Sequence, residues 1–154
     1  MSITELEEYL KKQGVQGTFH HFSEHTMTVA AAVNQLGISS AQIIKSMIFI
    51  DAKGHPILAI VPGNRRVSEK KLSQIRQVPF VRRATPDEVI QITGYSIGAV
   101  PPVGHKQALI TYIDPLSMEF PTVIGGGGAT NALLEMSPKD VQRLTDAQVH
   151  NISK

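Results

Sequence analysis

Residues 46–63, SMIFI-DAKG-HPILAIVPG, restrict the fold of this chain more than any other stretch. Two runs rich in β-branched and aliphatic residues flank a short set of turn formers, and that pattern reads as a β-hairpin. The apolar character begins before the hairpin, so Ile43, Ile44, Met47, Ile48 and Ile50 all read as core. Lys45 interrupts them. Lysine is seldom fully buried unless its charge is paired or used. Its stem either snorkels outward past the isoleucines or the ammonium serves a pocket at the strand entrance.

The remaining elements are short and well punctuated. Ser2 and Glu5 form a capping-box pattern for a helix that ends near Gly14, with Leu6, Tyr9 and Leu10 on its apolar face. GTFHHF (17–22) reads as a strand, and TMTVAAAVNQLG (26–37) as a helix with a threonine cap and Gly37 as its stop. SSAQIIK (39–45) reads as a helical turn leading into the hairpin. Ser68 caps SEKKLSQIR, and Thr85 with Pro86 opens a helix that Gly94 stops. PFVRRA, QALITYIDP, FPTVIG and ALLEM read as strands, and Ser137 with Pro138 opens a last helix. The expectation is a single α+β domain over 1–154: a mixed, mainly antiparallel sheet of about six to seven strands, with short helices packed around it.

Composition narrows the chemistry. The 154 residues include no cysteine, which excludes a disulfide framework, a thiolate nucleophile and a cysteine zinc site. No apolar run reaches membrane-spanning length and the N-terminus lacks a secretory pattern, so the expected setting is the cytoplasm, without membrane contact. The net charge is only +2, but seven of the 15 Lys and Arg residues fall between Arg65 and Arg83 beside a single acid, Glu69. That cluster is either a polyanion footprint, with Arg65, Arg66, Lys70, Lys71, Arg82 and Arg83 as its contacts, or a solvated face.

HHFSEH gathers His20, His21 and His25 near Glu24, yet strand alternation separates the first two and no HExxH motif occurs. No metal site is expected. His25 either lines a pocket at the strand end, next to Phe22, or sits at the surface or a helix cap. No GxSxG elbow supports a serine triad. Gly125–Gly128 either cradle a phosphate or carbonyl oxygen with close main-chain N–H groups, or form a long hairpin turn. YSIGAVPPVGH (95–105) combines Gly98 with Pro102 in a GxxxP spacing, a rigid loop suited to presenting main-chain donors to an oxyanion or to an ordered crossover.

Taken in order, the lysine after the Gln-Ile pair, LAIVPG, RRVSEKKL, TGYSIGAVPPVGH, ITYID and GGG…LLEMSP resemble the YbaK family, the prolyl-tRNA-synthetase-associated editing domains. The resemblance runs from about residue 20 to 145. It implies a free-standing hydrolase that cleaves the ester of mischarged tRNA, chiefly Cys- or Ala-tRNA(Pro), with no cofactor or metal. It places the family lysine on Lys45, the oxyanion loop on Gly98 to Gly104, and the glycine pair within Gly125 to Gly128.

Phe22, His25, Ser46, Pro102, Gly104, Gly126, Gly127 and Gly128 are then the expected substrate contacts, although strand alternation would turn Ser46 away from the face of Lys45. The resemblance also implies mischarged tRNA as partner, with prolyl-tRNA synthetase as a further one. Lys45 would act as an ammonium that positions the substrate or as a general base, of which the charged role is preferred beside a polyanion. The alternative from a different class is a non-catalytic module that binds tRNA or a nucleotide.

Overall fold

The structure, a computed structural model, describes residues 1–23 and 28–154. Five helices are present among them: α1 (Ile3–Lys12), α2 (Val29–Leu36), α3 (Glu69–Arg76), α4 (Pro86–Thr93) and α5 (Pro138–Thr145). The side chains of Ser2, Thr28, Ser68, Thr85 and Ser137 each accept a main-chain N–H at the N-terminus of their helix, and Thr85 forms a full capping box with Glu88. Gly37 and Gly94 end α2 and α4 in the left-handed conformation. None of the helices is long and apolar enough to cross a membrane.

The α+β class read from the sequence holds, with eight strands in two sheets among the described residues. They are β1 (Thr18–His21), β2 (Ile44–Asp51), β3 (Pro56–Pro62), β4 (Val81–Arg83), β5 (Ile110–Ile113), β6 (Val123–Gly126), β7 (Ala132–Met136) and β8 (Gln148–Val149). The smaller sheet has the order β1-β7-β6 and is antiparallel. The larger has the order β4-β2-β3-β5-β8; the hairpin β2-β3 is antiparallel, whereas β5 joins β3 in parallel and β8 joins β5 in parallel. The expected helical turn over 39–45 is a simple turn, and β2 begins at Ile44. Lys45 is therefore inside the strand, opposite Val61.

Strand alternation divides the core. Ile44, Ile48, Leu58 and Ile60 face the smaller sheet and meet Leu134, Met136 and Val123, together with Leu6 and Leu10 of α1. Phe49, Ile57, Ala59 and Val61 face the opposite way, onto Leu72 of α3, Tyr112 and Ile152. Both faces of β3 are covered, which explains its uninterrupted apolar sequence.

Asp51, at the hairpin turn, is buried at 3% exposure. One carboxylate oxygen accepts the Lys53 and His55 N–H groups at 2.9 Å, and the other lies 3.3 Å from the Arg76 guanidinium. Burial pushes its pKa up, but the two N–H donors, Arg76 and His55 outweigh that and hold it below the ordinary 3.8. A depressed folded pKa contributes stability that is complete above 3.8 and is lost as pH falls through the folded value. Thermal unfolding of wild type and Asp51→Asn should therefore differ most at neutral pH, and the gap should close in strong acid. A gap independent of pH would show that the carboxylate charge contributes nothing.

Candidate functional site

Among the described residues the two sheets touch through one main-chain bridge, a parallel pairing of Ile43 with Ile124 in which the Ile124 N–H donates to the Gln42 carbonyl at 3.2 Å. Beyond this bridge β2 and β6 separate. The Ile43 carbonyl accepts from Gly63 at 2.7 Å and the Asp51 N–H reaches His55 at 3.0 Å, so odd-numbered residues of β2 turn their main-chain groups toward β3. Even-numbered ones turn away from it, and Ala84 reaches the Ile48 carbonyl at 3.0 Å from that side. Ser46 lies between the bridge and Ala84, where the strand edge is open.

The same alternation applies to β6. Gly127 donates to Ala132 at 3.1 Å across to β7, so the main-chain groups of Gly126 point back toward β2. The divergence of two strands thus leaves a crevice of about 290 Å³ with polar main-chain groups on facing edges. Its walls are mostly aliphatic, from Val29, Val89, Ile97, Val100 and Leu133. The Ser46 Oγ is buried and has no hydrogen-bond partner among the described residues.

Lys45 stands at this opening. Its Nζ donates to the main-chain carbonyl of Arg65, in the turn that follows β3. Burial lowers its pKa below the ordinary 10.5, and the nearby Arg66 and Arg83 guanidinium groups lower it further. Lys45 and Ser46 point to opposite faces of the sheet, as alternation requires, yet both line the crevice because it opens along the strand edge. Alternation turns Ser46 from the face of Lys45, as expected, without removing it from the crevice.

Gly98 forms the opposite lip. It occupies the third position of a turn closed by the Ala99 N–H on the Ser96 carbonyl at 3.0 Å, with φ of 87°, a region that favours glycine. Among the described residues no acceptor pairs with the Gly98 N–H. The loop is tied to the glycine run by the Gly128 N–H on the Ala99 carbonyl at 2.9 Å. A Cβ on Gly126 would lie 2.2 Å from the Val100 oxygen, so main chain packs directly on main chain there. His105 donates through Nε2 to the Pro101 carbonyl at 2.6 Å and holds the far end of the loop; burial lowers its pKa, against that hydrogen bond.

The structure thus brings together Lys45, Ser46, Gly98 and Gly126, with Arg83. It places the other expected contacts elsewhere. Pro102 is buried behind the crevice, against Gly125. Gly104 faces Leu6 and Tyr9 of α1, Gly127 packs on the main chain of Ala132, and Gly128 on Tyr95 and Ile3. Phe22 packs on the neighbouring cluster of Ile43, Ile124 and Leu133. His25 lies outside the described residues.

The basic stretch divides in the same way. Lys71 reaches the Ser153 carbonyl at 2.6 Å and Asn151 at 3.2 Å, and Arg82 forms a two-pronged pair with Glu88 at 2.8 and 3.0 Å. Arg65 extends toward the Lys154 carbonyl at 3.4 Å, and Lys70 is exposed. Arg66 and Arg83 are the two that act on Lys45. The aliphatic lining from Val29, Ala32, Val89, Ile97 and Leu133 carried no sequence signal, since these residues come from separate elements and read individually as core.

Residues 23–144 match the family described as the aminoacyl-tRNA editing domain. Across 132 residues the chain is 26% identical to EbsC of Enterococcus faecalis, provisionally named a Cys-tRNA(Pro)/Cys-tRNA(Cys) deacylase; the match covers 86% of this chain and 80% of the relative. A solved structure carrying the provisional description of a trans-editing enzyme for prolyl tRNA synthetase superposes with a TM-score of 0.88 at 33% identity, over 99% of this chain and 96% of the other. A proline–tRNA ligase of Nitratidesulfovibrio vulgaris is 31% identical over 73% of this chain, which amounts to 19% of the ligase.

Replacing Gly126 by alanine forces the Val100 loop and β6 apart. Such overpacking costs about 1–3 kcal/mol, and denaturant unfolding of Gly126→Ala should show a loss of that order. An unchanged midpoint would mean that the loop yields without resistance.

Proposed function

The chain belongs to the aminoacyl-tRNA editing domain family, and on that premise we propose that it hydrolyses the ester of mischarged tRNA, with Cys-tRNA(Pro) and Ala-tRNA(Pro) as substrates. In this reading residues 1–154 act as one editing domain, alongside prolyl-tRNA synthetase. The observation that carries the proposal is the juxtaposition of three cations, Lys45, Arg66 and Arg83, with an aliphatic crevice whose edges present main-chain groups. Cations suit the phosphates of the tRNA 3′ end. The crevice suits a small aminoacyl group.

An aminoacyl ester is already activated, so the protein need supply neither a covalent nucleophile nor a metal. Water adds to the carbonyl carbon, the carbonyl electron pair moves to oxygen, and the Gly98 N–H, with that of Gly126, receives the oxyanion. Collapse of the tetrahedral species breaks the bond to the ribose oxygen, which leaves as a hydroxyl after taking up the proton lost by water. Loss of one oxyanion donor costs roughly 10²–10³ in rate in other hydrolases. Lys45 acts here as an ammonium that fixes the 3′-terminal phosphate. Burial and two arginines lower its pKa, but a bound phosphate opposes them and favours the charged form. The unpartnered Ser46 hydroxyl gives the aminoacyl end of the crevice its polar contact.

Deacylation of Ala-tRNA(Pro) and Cys-tRNA(Pro), measured with EDTA present for wild type and Lys45→Ala, tests this reading. Wild type should release amino acid, and the variant should be slower by about tenfold or more, which corresponds to about 1.4 kcal/mol of lost transition-state stabilisation. Activity should also fall with added salt as cation–phosphate contacts are screened. Tight tRNA binding without turnover, unaffected by Lys45→Ala, would favour a binding module instead.

A further inference from the structure

We infer that the segment Asn151–Ser153, clamped by Asp114, is a positioning device for Lys45, holding the Arg65 carbonyl and the Arg66 side chain in place beside it. The inference rests on the reading of Lys45 as the cation that fixes the substrate.

Lysine has a flexible four-carbon stem, so the position of its ammonium depends on what receives it. The receiver is the Arg65 carbonyl, in a turn closed by the Arg65 N–H on Pro62 at 3.0 Å. Beyond that turn, residues 66–68 run along the end of the chain. The Lys154 N–H donates to the Arg66 carbonyl at 2.9 Å, Val67 and Ser153 form an antiparallel bridge, and the Ser68 N–H reaches the Ile152 carbonyl at 2.7 Å. From α3, Lys71 ties down the Ser153 carbonyl. The strip that carries the partners of Lys45 is therefore held by a segment about 90 residues away in sequence.

Asp114 secures that segment. It is 1% exposed, and its own N–H is bonded to the Ile60 carbonyl of β3 at 2.9 Å. One carboxylate oxygen accepts from Leu116 at 2.9 Å. The other accepts the Ile152 N–H at 3.3 Å, the Ser153 N–H at 3.2 Å and the Ser153 hydroxyl at 2.7 Å. A buried carboxylate is costly unless its lone pairs are used, and three of these four donors belong to the segment that lines residues 66–68. Burial of Ile152 alone would keep the segment on the core. The hydrogen bonds to Asp114 fix its register along Arg66–Ser68. Residues 151–154 lie outside the 23–144 matched to the family.

Among the described residues, three groups face the Lys45 ammonium: the Arg65 carbonyl and the guanidinium groups of Arg66 and Arg83. Release of the strip hydrates Lys45 and moves Arg66 away, so the ammonium should titrate closer to the ordinary 10.5. The experiment is an NMR titration of lysine side chains in isotope-labelled protein, with the Lys45 signal assigned by its absence in Lys45→Arg. It compares wild type, Asp114→Asn and Ser153→Ala, and kcat/KM for deacylation is measured on the same samples.

Both variants should titrate higher at Lys45 than wild type, and kcat/KM should fall by about tenfold, as expected when a binding group is misplaced by a fraction of an ångström to an ångström. If Asp114→Asn does not fold, Ser153→Ala, which loses only the 2.7 Å contact, carries the test. Folded variants with an unchanged Lys45 titration and unchanged kcat/KM would overturn the inference. If wild type proves inactive, the hydrolase reading fails by itself, and the titration alone supports or overturns the brace.

Discussion

The main-chain bridge between Ile43 and Ile124 is the constraint on which the candidate site depends. Two sheets that stay paired have no room between them, and two that never meet have no shared wall. Here they meet at one point and then diverge, because β2 continues into its hairpin with β3 while β6 turns back along β7. Alternation of main-chain groups along each strand then dictates which residues lose a partner at the divergence. They are Ser46 on one edge and Gly126 on the other. An unpaired edge is ordinarily a liability in a β protein. In this chain it lines a crevice of about 290 Å³, and the loop after Gly98 packs the main chain of Ala99 and Val100 against Gly126.

The electrostatics follow from how cations are used rather than how many there are. Of the basic stretch from Arg65 to Arg83, Arg76 is committed to buried Asp51, Arg82 to Glu88 and Lys71 to the end of the chain. What remains beside Lys45 is Arg66 and Arg83, delivered from opposite sides by the turn after β3 and by β4. Burial lowers the lysine pKa, and repulsion from the two guanidinium groups lowers it further, a repulsion that an anion would relieve. The three cations thus sit close enough for the two arginines to add to the perturbation of the lysine.

The glycines illustrate how one residue type serves several purposes. Gly98 supplies a positive φ for the loop turn, and Gly126 allows close approach of the main chain. Gly104 also has a positive φ, 76°, and accommodates Leu6 and Tyr9 of α1 on the far side of the loop. Four consecutive glycines in sequence look equivalent, yet in space Gly125 and Gly126 line the crevice, Gly127 packs on Ala132 of β7, and Gly128 is tied to the Ala99 carbonyl of the loop.

By itself, the sequence determined the elements whose causes are local. The caps at Ser2, Thr28, Ser68, Thr85 and Ser137 and the hairpin about DAKG rest on contacts within a few residues, so pattern and spacing were enough to read them. It also exposed Lys45, since a lysine among isoleucines is anomalous in any fold. The tertiary structure alone decided that the strands divide into two sheets, that Ser46 shares a crevice with Lys45, and that residues 66–68 are held by Asn151–Ser153. Those outcomes depend on pairings between segments roughly 35 to 120 residues apart. Local preference does not encode such pairings, because they arise only when whole apolar faces choose their partners.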